Sequence, residues 1–207
     1  RFIHRDDAAT DLMVVHHERQ HLPVLILVDF ASDLEATHLL VERSLFETRD
    51  LLVGDLSRYD AIVIGAMTTH HDVREDSLVK EHALLLSKAA AEVADSQFRH
   101  RGTFGGALAH ADPAGDLGAP ALALGAQFVI AGPGGTRTVG ADDFFVDLFE
   151  TAIGEDEILT EVRIPKHTGW GAHYEKFVRV AHQWPIVAVA ATVSGSIDEA
   201  KVGLTNM

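Results

Sequence analysis

The strongest constraint in this 207-residue chain is a run at three- and four-residue spacing: Leu78, His82, Leu85, Leu86, Ala89, Ala90 and Val93. That spacing predicts one helix with a single apolar stripe, started by the capping-type residues Thr68-Thr69-His70-His71-Asp72. Strand-like runs surround it. Residues 22–30 and 59–66 precede it, the second ending cleanly in Ala61-Ile62-Val63-Ile64-Gly65. Residues 34–45 fit a helix loosely. After the stripe, residues 98–106 read as a glycine-bearing loop, and residues 117–124 as a short helix closed by Gly125.

Residues 127–131 and 137–139 read as two strands joined by the turn Gly132-Pro133-Gly134-Gly135. Phe144, Phe145, Leu148 and Phe149 read as an aromatic cluster on a helical turn, with the phenylalanines in the core. Residues 158–164 alternate as a strand. The Lys-, His-, Thr- and Gly-bearing stretch 165–171 is the best linker candidate and marks a domain boundary. Residues 174–179, 186–193 and 200–204 then read as strands of a second unit that begins without finishing.

Composition narrows the function classes. With 47% hydrophobic and 23% charged residues, the chain can bury a proper core. Lys plus Arg number 17 against 31 Asp plus Glu, a net charge of −14 that argues against nucleic acid and anionic lipid as partners. No apolar run reaches the ~18 residues of a membrane span. The absence of cysteine excludes disulfides, thiolate zinc and any iron–sulfur cluster held by this chain itself. Residues 1–7 lack a following apolar signal region, so a cytoplasmic home is expected. The start at Arg1 and the stop at Met207 suggest a fragment.

The segment richest in chemistry is residues 99–116, Arg-His-Arg-Gly-Thr-Phe-Gly-Gly-Ala-Leu-Ala-His-Ala-Asp-Pro-Ala-Gly-Asp. Adjacent glycines let backbone N–H groups approach a ligand, Thr103 adds a hydroxyl, and Asp112 and Asp116 can accept from ligand hydroxyls. The same residues also suit a plain tight turn with two capping aspartates. The histidine groups His16-His17-x3-His21 and His70-His71-Asp72 offer no evident third metal ligand, and surface or capping roles explain them better. Asp142-Asp143 and Glu155-Asp156-Glu157 fit solvated turns.

Residues 99–116 resemble the flavin-binding loop of the FAD subunits of molybdenum hydroxylases, R-x-R-G-T-[IV]-G-G-x-[IL]-A-x-A-[DS]-P-x-x-D. Three further matches keep the family's order: Ile64-Gly65-Ala66-Met67-Thr68-Thr69-His70, residues 157–165, and Tyr174-Glu175-Lys176-Phe177. Residues 182–187, His-Gln-Trp-Pro-Ile-Val, look most like the branch containing the medium subunits of aerobic carbon monoxide dehydrogenases. The resemblance implies an α+β fold: a PCMH-type FAD-binding domain at residues 1–165, followed at 171–207 by the start of a smaller α+β domain.

It further implies FAD on this chain, with iron–sulfur clusters on a small partner subunit and molybdopterin on a large one, in a hetero-oligomer. Electrons would pass from the clusters through FAD to an external acceptor. Thr103, Gly105 and Gly106 would contact the diphosphate or flavin edge through donors, with Phe104, Ala107 and Asp112 in the same loop. Asp116 would hold ribityl or ribose hydroxyls, Leu159 would pack on the ring system, and Lys176 would lie near the isoalloxazine. Two departures stand out. Ala107 replaces the family's frequent Asn or Ser, and no A-G-G-x-S loop occurs in residues 1–58, where His16-His17-Glu18-Arg19-Gln20 holds its approximate place. A cofactor-free scaffold subunit of the same fold is the alternative.

Overall fold

The computed structural model describes residues 60–206 together with two short paired strands, β1 (Val14–His17) and β2 (Val24–Leu27). The loose helical reading of residues 34–45 and most of residues 1–58 lie outside the described residues. His16 and His17 stand on β1, and His21 lies outside the described residues.

β3 (Ala61–Gly65) is the buried strand that its apolar run predicts. The helical stripe is borne out in its burial but not in its continuity. Three helices replace one: α1 (His70–Glu75), α2 (Ser77–His82) and α3 (Leu84–Glu92). Asp76 makes the first break, its extended backbone ending α1 while its carboxylate accepts from the N–H groups of Leu78 and Val79 at 2.8 and 3.1 Å. A side chain that caps two N–H groups stabilises a new helix start more than it tolerates a helix interior. Ala83, at φ −143°, makes the second break. Val79, Leu85, Leu86, Ala89 and Ala90 nevertheless share one buried face.

The expected loop at 98–106 shrinks to residues 100–103, which link two helices. Asp95 caps α4 (Ser96–Arg99), and Thr103 caps α5 (Phe104–His110), so Gly105 and Gly106 lie in a first helical turn. α6 (Gly118–Ala123) follows, with Gly125 at φ +64° just beyond its end.

β4 (Gln127–Gly132) and β5 (Gly135–Gly140) form the expected hairpin, followed by the four-residue α7 (Ala141–Phe144) and the small hairpin β6 (Phe145–Asp147) and β7 (Glu150–Thr151). With β8 (Ile158–Pro165), the larger strands make an antiparallel sheet in the order β3-β8-β4-β5. A second antiparallel sheet, β11-β10-β9, is built from β9 (Gly171–Phe177), β10 (Val187–Val193) and β11 (Ala200–Thr205). The architecture is α+β.

One apolar cluster joins the two sheets. Ile62, Ile64, Phe128, Ile130, Val162 and Ile164 come from the first sheet, Tyr174, Ala188 and Ala190 from the second, and Leu85, Leu86, Phe104 and Leu108 from the helices. The stretch 165–171 is tied into this body: His167 donates its N–H to the His82 carbonyl at 2.7 Å, and the His82 ring meets the Thr168 hydroxyl at 2.6 Å. Phe128 stacks on Phe144 at 3.7 Å, and Phe145 meets both rings edge-on. Phe149 departs from its expected core position and is 57% exposed, because the chain has left α7 for the small hairpin before reaching it.

Candidate functional site

Two of the sequence motifs meet at the start of α5. His70 donates its N–H to the Gly102 carbonyl, Phe104 to Thr68, and Gly105 to Ala66, at 3.0, 2.8 and 2.8 Å, so residues 66–70 and 102–105 are zipped together. Thr69 and Thr103 form an antiparallel bridge within this seam. The seam explains two glycines. A Cβ on Gly105 would lie 2.4 Å from the Ala66 Cβ and 2.6 Å from its Cα, and one on Gly102 would lie 2.8 Å from the His70 ring.

This packing corrects the expected use of the main-chain donors. The Gly105 amide is taken by Ala66, the Gly106 amide reaches the Thr103 hydroxyl oxygen at 3.2 Å, and the Ala107 amide binds the Thr103 carbonyl at 3.0 Å. The glycine pair serves close approach and helix capping. Thr103 keeps its hydroxyl proton for donation, since a hydroxyl that accepts one bond can still give another.

Beside this seam lies a cavity of about 370 Å³, within the range of small-molecule sites. Thr103, Gly106, Ala107, Asp112 and Asp116 line it, as do His70, Val93, Phe98, Arg101, His110 and Trp184. Phe104 and Gly105 do not; Phe104 is wholly buried in the core behind it. Leu159 is also elsewhere, half-buried on β8 opposite Ile130. Lys176 reaches the cavity wall only through Asp116.

The Asp116 carboxylate accepts from the Lys176 ammonium at 2.8 Å through one oxygen and from the Tyr174 hydroxyl at 2.8 Å through the other. Both members of the ion pair are almost completely buried. Burial pushes the Asp116 carboxyl upward, while Lys176 and Tyr174 pull it back. Burial, reinforced by the Asp116 charge, holds the Tyr174 phenol in its protonated form. The pair therefore first joins β9 to the loop before α6, and only its edge faces the cavity. Asp112 is likewise engaged, accepting from the Ala114 N–H at 2.9 Å to close a turn.

The sequence reading missed the aromatic wall. Phe98 and Trp184 line the cavity while remaining 50% and 60% exposed, and the Phe98 ring lies parallel to His70 at 6.1 Å. His70 is 2% exposed, and its Nδ1 has no hydrogen-bond partner. Burial and the neighbouring Arg99 charge lower its pKa to about 4, so the ring is neutral at neutral pH. Arg99 is itself anchored on the Val93 and Ala94 carbonyls at 2.8 and 2.9 Å, capping the end of α3. Trp184 stands in the motif at residues 182–187, which carried the family resemblance without giving the tryptophan a place at the site. Its neighbours in space are distant in sequence, and no local pattern reports them.

The described residues contain no group of three or more His, Asp or Glu placed to hold a metal. Among them, no helix is long and apolar enough to cross a membrane.

The chain has clear relatives among known proteins. The family model for the FAD binding domain in molybdopterin dehydrogenase matches residues 53–167. The carbon monoxide dehydrogenase medium chain of Hydrogenophaga pseudoflava is 39% identical over 152 residues, covering 70% of this chain and 52% of that protein. The medium chain of the same name from Afipia carboxidovorans is 36% identical over 177 residues, covering 83% and 62%. Among solved structures, a carbon monoxide dehydrogenase from Hydrogenophaga pseudoflava that lacks the Mo-pyranopterin moiety superimposes with a TM-score of 0.68 at 39% identity, covering 71% of this chain and 53% of its own. Quinoline 2-oxidoreductase from Pseudomonas putida 86 does so at 0.66 and 32% identity, covering 71% and 52%. The chain thus spans about half to three-fifths of the length of these relatives. It belongs to the family of FAD-binding domains of molybdopterin dehydrogenases.

Proposed function

We propose that this chain is the FAD-carrying part of the medium subunit of a molybdenum hydroxylase of the carbon monoxide dehydrogenase-like kind. It receives electrons from iron–sulfur clusters on a small partner subunit, which draw them from a molybdopterin subunit, and delivers them to an external acceptor in the cytoplasm. Residues 1–165 serve as the PCMH-type domain and 171–207 as the beginning of the smaller one. The observation that carries this reading is the cavity at the seam of two family motifs, where Arg101 and Thr103 offer donors, and Phe98 and Trp184 offer ring faces.

These residues suit part of FAD. A guanidinium and a hydroxyl match diphosphate oxygens, the cavity edges of Asp112 and Asp116 match hydroxyl groups, and aromatic faces match a planar ring. The orphaned His70 Nδ1 is a further polar group at this wall without a protein partner. The volume of about 370 Å³ holds a portion of the dinucleotide. When bound, FAD supplies the redox chemistry. The chain's contribution is to orient and neutralise: Arg101 balances negative charge, the Thr103 hydroxyl donates, and the buried Asp116–Lys176 pair fixes the wall between the two sheets. Lys176 acts at one remove, through Asp116, as a positioning residue. In this reading Leu159 supports the sheet behind the site.

One observation favours the second reading, a cofactor-free scaffold of the same fold: the amides of Phe104, Gly105, Gly106 and Ala107 all have protein acceptors. The visible spectrum of the purified chain decides between them. A flavin band near one equivalent per chain, or saturable FAD binding on titration, is expected. A colourless protein that leaves added FAD free overturns the proposal in favour of the scaffold.

A further inference from the structure

The small hairpin at residues 145–151 presents Val146, Leu148 and Phe149 to solvent at 60%, 69% and 57% exposure. Phe149 holds this position at φ +56°, a left-handed conformation that a bulky residue adopts only when its surroundings enforce it. Its N–H is bound to the Ala111 carbonyl at 3.2 Å, and its ring lies 5.1 Å from His110. The fold thus fixes a large apolar side chain outward, at the C-terminal end of α5.

The stretch of chain that carries the hairpin holds charge of one sign. Residues 138–162 contain eight Asp and Glu and no Lys or Arg. The flanking cations Arg137 and Arg163 are engaged by Glu157 and Glu161. We propose that the tip Leu148–Phe149 is a docking anchor for a protein partner whose surface offers an apolar socket ringed by Lys and Arg. An exposed aromatic flanked in its hairpin by Asp147 and Glu150 suits a basic socket, with the anchor supplying affinity and the acids steering approach. A second copy of this chain, with net charge −14, brings the same sign and is disfavoured, as is an anionic lipid surface.

The proposal rests on the reading of this chain as one subunit of a complex, and it names the face used. Because α5 is seven residues, about 10 Å long, a partner seated on Phe149 lies one short helix away from Thr103.

The test co-expresses the full chain with the proposed iron–sulfur and molybdopterin subunits and measures association of each with this chain at 50 and 500 mM NaCl. Phe149→Gly is the decisive variant, because glycine relieves the left-handed strain while deleting the anchor. It is expected to unfold at the same or higher denaturant concentration than wild type, yet to associate at least tenfold more weakly. Leu148→Ser should weaken association alike, and Asp142→Asn/Asp143→Asn/Asp147→Asn should flatten the salt dependence. Wild-type association with both variants at either salt concentration overturns the proposal, as does wild type that binds neither subunit. A concentration-dependent self-association abolished by Leu148→Ser overturns it in favour of a second copy. Flavin content, read on the same samples, reports separately on the proposed function.

Discussion

The Lys176 ammonium and one oxygen of Asp116 stand 2.8 Å apart with both side chains at least 94% buried, linking β9 to the loop that closes the cavity. Removing one partner strands the other charge away from water. Asp116→Asn is therefore expected to destabilise the chain by roughly 3–5 kcal/mol, whereas the double change Asp116→Leu/Lys176→Met should recover much of that loss. Urea unfolding of the two variants beside wild type checks this. Equal losses in the single and double variants would show that the ion pair is not the source.

The Gly105 seam gives a second prediction. An added Cβ would meet the Ala66 Cβ at 2.4 Å, its Cα at 2.6 Å and its carbonyl oxygen at 2.8 Å. Most of that clash is with backbone, so Gly105→Ala should cost about 1–3 kcal/mol, and Ala66→Gly should not rescue it. Gly134, with open space around its Cβ position, is the control: Gly134→Ala should leave the unfolding midpoint nearly unchanged. A tolerated Gly105→Ala would mean that the seam is looser than its hydrogen bonds indicate.

Residues 99–116 illustrate what the sequence carries. Gly102, Thr103, Gly106 and Asp116, singled out from residue type alone, line one cavity, and Gly105 sits where the backbone must come close. Their individual roles were not legible. The partner of the Gly105 amide is Ala66, and the partners of Asp116 are Tyr174 and Lys176, 58 and 60 residues away. Local pattern cannot report a contact of that separation. The same limit explains the helix at 70–92: its period showed which face is buried, but Asp76 reads equally well as a polar surface residue or as a cap. The larger strands β4, β5, β8, β10 and β11 were legible because apolar runs and turn residues agree at them, whereas β6 and β7 lie where the aromatic run 144–149 reads as a helical turn.

His70 makes stability depend on pH. Its pKa falls from the ordinary 6.5 to about 4 on folding, so the unfolded chain binds the proton more tightly. The stabilisation is present above pH 6.5 and is lost as pH falls toward 4. Between pH 7.5 and 5 the loss attributable to this residue is about 2 kcal/mol. In His70→Leu that part of the slope should vanish. Denaturant midpoints of both proteins at the two pH values check the difference, and parallel slopes would dissociate the effect from His70.

Trp184 and Arg101 provide the most direct reading of the cavity. The chain has two tryptophans, and Trp170 packs against His167 rather than lining the cavity. A planar ring bound beside Trp184 should therefore quench only part of the indole emission. In Trp184→Phe, which keeps an aromatic face, the quenching on FAD addition should largely disappear while binding, followed by flavin emission, persists. Arg101→Ala should instead retain quenching at saturation but need roughly 10- to 150-fold more FAD, the loss of one charged hydrogen bond worth about 1.5–3 kcal/mol. Quenching that survives in Trp184→Phe would place the ring away from this wall, and unchanged affinity in Arg101→Ala would remove the guanidinium from the anion site.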